Sequence, residues 1–324
     1  PPRSTLFPYT TLFRSKRLGK TCLDSGLVLS INAHLWGAVF PLLNHGDEHQ
    51  QSEWLVPALT GAYIAGHAIT EPQAGSDLNA LTTTAQRVEN GLILNGHKTF
   101  ITNTPIADFI VIFALLDNKL TAFIVARDDN GAEFLEGPSG VGCRTATMGD
   151  VILKDCFIPA SRQLGKTGAG SMLIQQAMEL ERAFVFAGFS GIMAWQLDTV
   201  IRHSRARKIN GKHLGANQAI SHKIADMKLR LDTVYLWLDQ CARLKDNKQR
   251  ITLASAQTKL YASEAFLQSS VDAVHILGAK GLAEDNALNK LVNDAIASRL
   301  FSGSSEIQKN IIASLVGVGD GYKG

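Results

Sequence analysis

The spacing of apolar residues changes period twice along the chain. Between Ser25 and Gly61 it is helical: Leu27, Ile31, Leu35, Val39 and Leu42 fall near one face, with Pro41 near the end of the run. From about Tyr63 to Ile158 the period becomes two. Residues 82–88 and 91–94 flank Asn90-Gly91, Asn95-Gly96 reads as another tight reversal, and Asp117-Asn118-Lys119 joins the apolar runs 109–116 and 120–126. Short strands with turns this frequent predict a β-barrel or sandwich. Within this stretch there is neither strand–helix alternation nor a G-x-G-x-x-G, which argues against a Rossmann nucleotide domain.

From Ser171 the helical period returns and stays. Ser171 is the predicted N-cap after the flexible stretch 165–170, and a long helix runs on to about Ser204. In the next helix Ile220, Ile224, Met227, Leu231, Val234, Leu238 and Cys241 alternate spacings of four and three, the seam of a helix packed nearly antiparallel in a bundle. Residues 250–277, 287–299 and 304–315 complete four or five helices, with Gly278 and Gly281 at one junction. The fold class expected is α+β multidomain: N-terminal helices (16–62), a central β-barrel or sandwich (63–164) and a C-terminal antiparallel helix bundle (165–324).

With 324 residues, 45% of them hydrophobic, the chain can bury a large core in two or three domains. A charge of +3 with 19% charged residues gives no basic footprint for nucleic acid, the densest basic stretch being 202–212. Cys22, Cys143, Cys156 and Cys241 have neither metal nor redox spacing, which suits free thiols in a reducing cytoplasm. No uninterrupted apolar stretch reaches the ~18 residues of a membrane span, and no secretory leader is evident. His45 and His49 lie four apart without a third ligand, so a structural helix is preferred to a metal pair. Residues 1–15, PPRSTLFPYTTLFRS, repeat TLF and resemble the translation of a sequencing-library adapter. That stretch is therefore set aside from the fold as a non-native tail, the alternative being a genuine disordered tail. On the adapter reading the natural protein begins upstream of Lys16 and the chain is a fragment.

Two segments carry the chemistry. In 68–77, AITEPQAGSD, Pro72 fixes one φ, Gly75 allows φ > 0 or close approach to bare backbone, and Thr70 and Ser76 add hydroxyls. Such a loop suits a planar, hydrogen-bonding cofactor with a phosphate tail, or is simply a tight strand-to-strand connection. The second segment is 94–103, LNGHKTFITN. Together they resemble the flavin-binding middle domain of the acyl-CoA dehydrogenase family, with its T-E-P-x-A-G-S-D followed by L-x-G-x-K-x-[WF]-I-T-N. The order helix, β-domain, bundle resembles the family from about residue 30 to 316, and the stretch GDEHQQSEWLVPAL resembles its N-terminal domain, of which the resemblance implies a longer version.

The resemblance implies FAD as cofactor, with Thr70, Gly75, Ser76, Phe100 and Thr102 at the isoalloxazine, Phe100 replacing the usual Trp. Arg207 in RKINGK matches the arginine that reaches the flavin pyrophosphate of a neighbouring subunit, and Gln218 the glutamine that follows. Asn210 replaces the family Phe. His275 and Ala279 in HILGAKG depart from Q-x-x-G-G-x-G on the adenine side. Ser304 and Glu306 match further flavin-side positions.

The family oxidises an acyl thioester to its enoyl form. A carboxylate takes the α-proton, the β-hydrogen leaves as hydride to flavin N5, donors meet the thioester carbonyl, and the site is dry. Most members carry the base in Y-E-G-T-x-x-I-Q, but this chain reads F-S-G-S-S-E-I-Q over 301–308, with Ser302 in the glutamate's place. A serine hydroxyl is too weak a base to act unaided. One subgroup, typified by isovaleryl-CoA dehydrogenase and by dehydrogenases of carrier-protein-bound aminoacyl groups, places the base in L-E-R on the first long bundle helix. Leu180-Glu181-Arg182 matches it, so Glu181 is the expected base, against the plainer reading of a solvated mid-helix glutamate. Glu179 and Arg182 match positions near the thioester arm, and Ser302 still offers its backbone N–H.

The expected function is FAD-dependent α,β-dehydrogenation of an acyl-CoA or an acyl- or aminoacyl-carrier-protein thioester, with an electron-accepting flavoprotein as partner. An oxidase passing electrons to O₂ would use the same residues. The alternative is a flavin-binding relative without dehydrogenase activity, supported by Ser302 and the altered 275–281 stretch. Arg207 implies a homodimer or homotetramer.

Overall fold

The computed structural model of the chain describes residues 8–138 and 140–319. Helix Pro8–Cys22 comes first, so from Pro8 onward the TLF-repeat stretch is helical, and residues 1–7 lie outside the described residues. The next helix, Ser25–His45, contains a π-helical turn at Leu35–Val39. That turn corrects the predicted face. An uninterrupted 3.6 repeat would bury Leu27, Ile31 and Leu35, but the extra residue in the π turn rotates the helix between its halves. Val39 and Leu42 are buried as predicted, but in the first half Val28, Leu29 and Trp36 are buried while Leu27 is exposed and Ile31 and Leu35 half-buried. A capping box at Asp47 starts residues 48–60, in which Gln51–Leu55 form a second π turn, and Gly61 with φ 78° closes them.

The strands are β1 Ala65–Ala68, β2 Thr84–Val88, β3 Gly91–Thr102, β4 Phe109–Leu116, β5 Lys119–Ala126, β6 Ala132–Glu136, β7 Met148–Pro159 and β8 Gln163–Leu164. They form one eight-stranded sheet in the order β6-β7-β3-β2-β4-β5-β8, with β1 beside β4. β1 and β2 run parallel to β4 and the other pairs are antiparallel. β4 is apolar throughout because both of its faces are covered. Phe109, Val111 and Phe113 pack with Trp54, Leu55, Ile124 and Leu164, whereas Ile110 and Ile112 pack with Leu92, Leu94, Phe123 and Val151.

The turn at Asn90 (φ 64°) and the pair Asp117-Asn118 (φ 53° and 56°) form the predicted hairpins. Asn95-Gly96 does not. It lies inside β3 at a shift of the β3–β7 register, a bulge rather than a reversal. Glycine is required there because a Cβ would stand 2.3 Å from Thr83 Oγ1.

The helical region comprises Gly170–Ala206, the small hairpin of β9 Lys208–Ile209 and β10 Lys212–His213, and the helices Gln218–Asp246, Thr252–Leu277, Ala287–Ser298 and Ser305–Leu315. Ser171 is inside the first turn rather than the N-cap, because the helix begins at Gly170, whose Cα lies too close to the Leu120 carbonyl for any side chain. The predicted seam of the Gln218 helix is buried from Met227 to Cys241 and half-buried at Ile220 and Ile224.

By contact the chain divides into two compact units. One holds residues 29–140 and 144–181, the other residues up to Val28, Val141–Cys143 and the chain from Arg182. In the second, Gly191 and Gly188 of the long helix give bare backbone to helix Pro8–Cys22 and to Val28; a Cβ on Gly191 would stand 2.0 Å from the Lys16 carbonyl. Helices Ser25–His45 and Gly170–Ala206 are long and apolar enough to cross a membrane by length and composition, although polar residues interrupt both. Their tested windows are 61% and 78% buried within the protein, so their apolarity is spent on the core.

Candidate active site

In the β unit, Glu71 and Lys98 join the two sequence segments. Lys98 Nζ donates to Glu71 Oε1 (2.7 Å) and to the Ile69 carbonyl (3.0 Å). Glu71 also accepts from the Thr82 and Thr83 amides, the Thr82 hydroxyl and Gln73. Burial alone would push this carboxyl up; the bonds from Lys98, Thr83 and Thr82 outweigh it and hold Glu71 down at about 2. The Thr99 amide donates to the Thr70 carbonyl, so the T-E-P loop is fastened to β3 on both sides of the ion pair.

Around that fastening the predicted flavin residues are open. Gly75 and Ser76 are exposed, and a Cβ built on Gly75 would meet no atom within 4 Å. Gly75 is not in the left-handed region, so of the two reasons for a glycine there, close approach is the one the structure fits. Phe100 has φ 55° at the second β3 bulge, which turns its ring outward to 64% exposure. Thr102, two residues on in β3, and Thr70, whose carbonyl accepts from the Thr99 amide, are both half-buried. An uncovered aromatic face, an open glycine and half-buried hydroxyls on a braced loop fit a flat ring with hydrogen-bonding edges.

Glu181, in the long helix, is 4% exposed and therefore not on a solvated face. Its Oε2 lies 3.8 Å from Nε2 of His67 in β1, with side chains 6% and 14% exposed. The sequence reading did not find His67. The signal was present: it is the one polar side chain in the strand Ala-Gly-His-Ala. Glu179, two residues earlier, is half-buried and accepts from Gln175.

In the bundle unit, the segment where most of the family carries its base is clamped from four sides. Arg182 Nε donates to the Ser302 carbonyl (3.1 Å), and Gln308 Nε2 reaches the Ser302 and Gly303 carbonyls. The buried Lys259 donates to the Arg299 carbonyl (2.9 Å), and Glu264 accepts from Arg299 and Ser305. Phe301 packs on Phe186 and Phe189. Held this way, Ser302 and Gly303 adopt φ 54° and 89°. Ser304 caps the last helix by accepting from Ile307. The exposed carboxyl of Glu306 in its first turn is held low by its own amide and the Ser304 hydroxyl.

Arg207 and Gln218 are exposed and bracket the β9–β10 hairpin, Leu214 donating to the Arg207 carbonyl. His275 ends helix Thr252–Leu277 and Ala279 follows in the next turn, both exposed. His45 pairs with Gln176 and His49 with Glu53, and no group of three His, Cys, Asp or Glu side chains placed to hold a metal occurs among the described residues.

Known families agree with this layout. The acyl-CoA dehydrogenase middle-domain profile matches residues 66–156, and the acyl-CoA dehydrogenase C-terminal-domain profile matches 168–316. An L-prolyl-[peptidyl-carrier protein] dehydrogenase of Pseudomonas fluorescens is 36% identical over 310 residues, 94% of this chain and 82% of that protein. The crystal structure of the prolyl acyl carrier protein oxidase AnaB superposes with a TM-score of 0.94 at 39% identity, over 97% of this chain and 84% of its own. PigA with FAD and proline gives 0.94 at 35% identity, over 97% and 83%. The chain belongs to the acyl-CoA dehydrogenase family. It is a flavoprotein oxidoreductase whose cofactor is FAD and whose reaction is the dehydrogenation of an acyl thioester.

Proposed function

We propose that the substrate is a compact aminoacyl group, prolyl in the first instance, carried as a thioester on a carrier protein, and that Glu181 takes its α-proton. The observation that carries this is the burial of Glu181 in a chain whose usual base position holds Ser302. Bound FAD supplies the acceptor for the β-hydrogen. Thr70, Gly75, Ser76, Phe100 and Thr102 hold its ring, and Arg207, Gln218, His275, Ala279, Ser304 and Glu306 serve its phosphate and adenine side, Arg207 toward a partner copy.

The chain's own residues do the rest. Glu181 receives the proton at its carboxylate, sheltered from bulk water that would otherwise compete. The Ser302 N–H donates to the thioester carbonyl, where negative charge grows as the proton leaves. Arg182 fixes that loop through the Ser302 carbonyl, so a serine suffices: the peptide, not the side chain, is what the position contributes. Glu179 and Arg182 stand toward the thioester arm. A homodimer or homotetramer in the cytoplasm, reoxidised by an electron-accepting flavoprotein, completes the reading.

Anaerobic titration tests it. Prolyl-carrier protein should bleach the flavin at a rate at least ~10-fold above butyryl-CoA or isovaleryl-CoA, a difference of about 1.4 kcal/mol in barrier. Faster bleaching by either CoA ester would move the substrate to free acyl-CoA.

A further inference from the structure

We infer that His67 is a positioning residue for the Glu181 carboxylate, seated in one tautomer by the π-helical turn at Gly37; this rests on the reading of Glu181 as the base. Three elements of one unit meet here. Nε2 of His67 faces Glu181 Oε2 at 3.8 Å. The opposite ring edge rests on bare backbone: a Cβ on Gly37 would stand 1.7 Å from His67 Nδ1 and 2.6 Å from its Cγ. Gly37 is the middle residue of the Leu35–Val39 π turn, and π turns are inserted into helices disproportionately at functional sites.

The seat decides the tautomer. His67 Nδ1 is buried and has no hydrogen-bond partner among the described residues. A proton there would be a buried donor with nothing to receive it, an expensive arrangement. A proton on Nε2 leaves only a lone pair against Gly37 and turns the N–H toward Glu181. A small rotation of either side chain closes 3.8 Å to a hydrogen bond. One carboxylate oxygen is thereby held, which fixes the rotamer of the group that takes the α-proton. Pre-set geometry of this kind is what makes proton abstraction fast.

The tautomer can be read without turnover. In the FAD-loaded, substrate-free protein with ¹⁵N-labelled histidine, the His67 resonances, assigned by their loss in His67→Phe, should show the proton on Nε2 and a bare Nδ1. A proton on Nδ1 overturns the inference. Kinetics give the second arm. His67→Phe keeps the ring volume and should slow anaerobic flavin reduction at saturating thioester by ~10-fold or more with half-saturation unchanged. His67→Gln returns an amide donor and should recover to within about threefold of the parent. Parent-like reduction by His67→Phe, or equal losses in both variants, overturns the inference. Glu181→Gln separates the two readings: if it still reduces flavin at the parent rate, the base reading falls and takes this one with it. An inactive Glu181→Gln beside an unslowed His67→Phe overturns this inference alone.

Discussion

Lys98 and Glu71 form an ion pair 2.7 Å long with side chains 0% and 1% exposed. It ties the cofactor loop to β3, so its loss should be felt at the flavin. Removing one partner of a buried pair strands the other charge and costs about 3–5 kcal/mol. Lys98→Met should therefore lower the thermal midpoint and release FAD during gel filtration, while loop substitutions such as Ser76→Ala should leave the midpoint unchanged.

The same pair sets an acid limit. Glu71 is held at about 2, below its unfolded value, so its stabilisation is present above the ordinary carboxylate range. It is lost as pH falls from there toward 2. Denaturant midpoints should fall below pH 4.5 in the parent and fall less steeply in Glu71→Gln, which starts less stable.

Lys259 gives a slope of the same sign in a higher pH window. Burial pulls it down to about 7, Glu264 opposing and Arg182 and Arg299 adding to the shift. Below about 7 both folded and unfolded chains hold the proton and the penalty for the buried charge is complete. Between 7 and the ordinary lysine value only the unfolded chain holds it, so stability rises with pH, at most about 1.4 kcal/mol per unit. Midpoints should climb from pH 7 to 8.5 in the parent and stay flat in Lys259→Met.

What could be read from the chain was whatever depends on period and on turn residues. The seam from Met227 to Cys241, the hairpins at Asn90 and Asp117-Asn118, and the fold class all have local causes. The misplaced face of Leu27, Ile31 and Leu35 has a cause no period reveals, since a π turn adds one residue without any sequence marker. Asn95-Gly96 misled for a related reason. The pair that marks a reversal also marks a bulge, and only the clash with Thr83 tells them apart. Candidate site residues were found where a contiguous segment resembles the family. His67, Glu71, Lys98 and Lys259 were missed because their partners are 27 to 114 positions away, from Lys98–Glu71 (98 − 71) to Glu181–His67 (181 − 67).

Thiol chemistry should sort the cysteines by burial. Cys22 is exposed and Cys143, Cys156 and Cys241 are buried, Cys156 pushed up to about 12 and Cys241 to about 11 by desolvation. Only thiolate reacts, so Ellman titration of the folded protein should show one fast thiol, abolished by Cys22→Ser, with the others appearing on unfolding.

The central claim is that the base sits on the long helix at Glu181. Anaerobic mixing of FAD-loaded Glu181→Gln with the thioester that bleaches the parent tests it most directly. The account predicts a protein that keeps its flavin and thermal midpoint yet reduces at least ~10³-fold more slowly, a barrier higher by about 4 kcal/mol. Bleaching at the parent rate would contradict it.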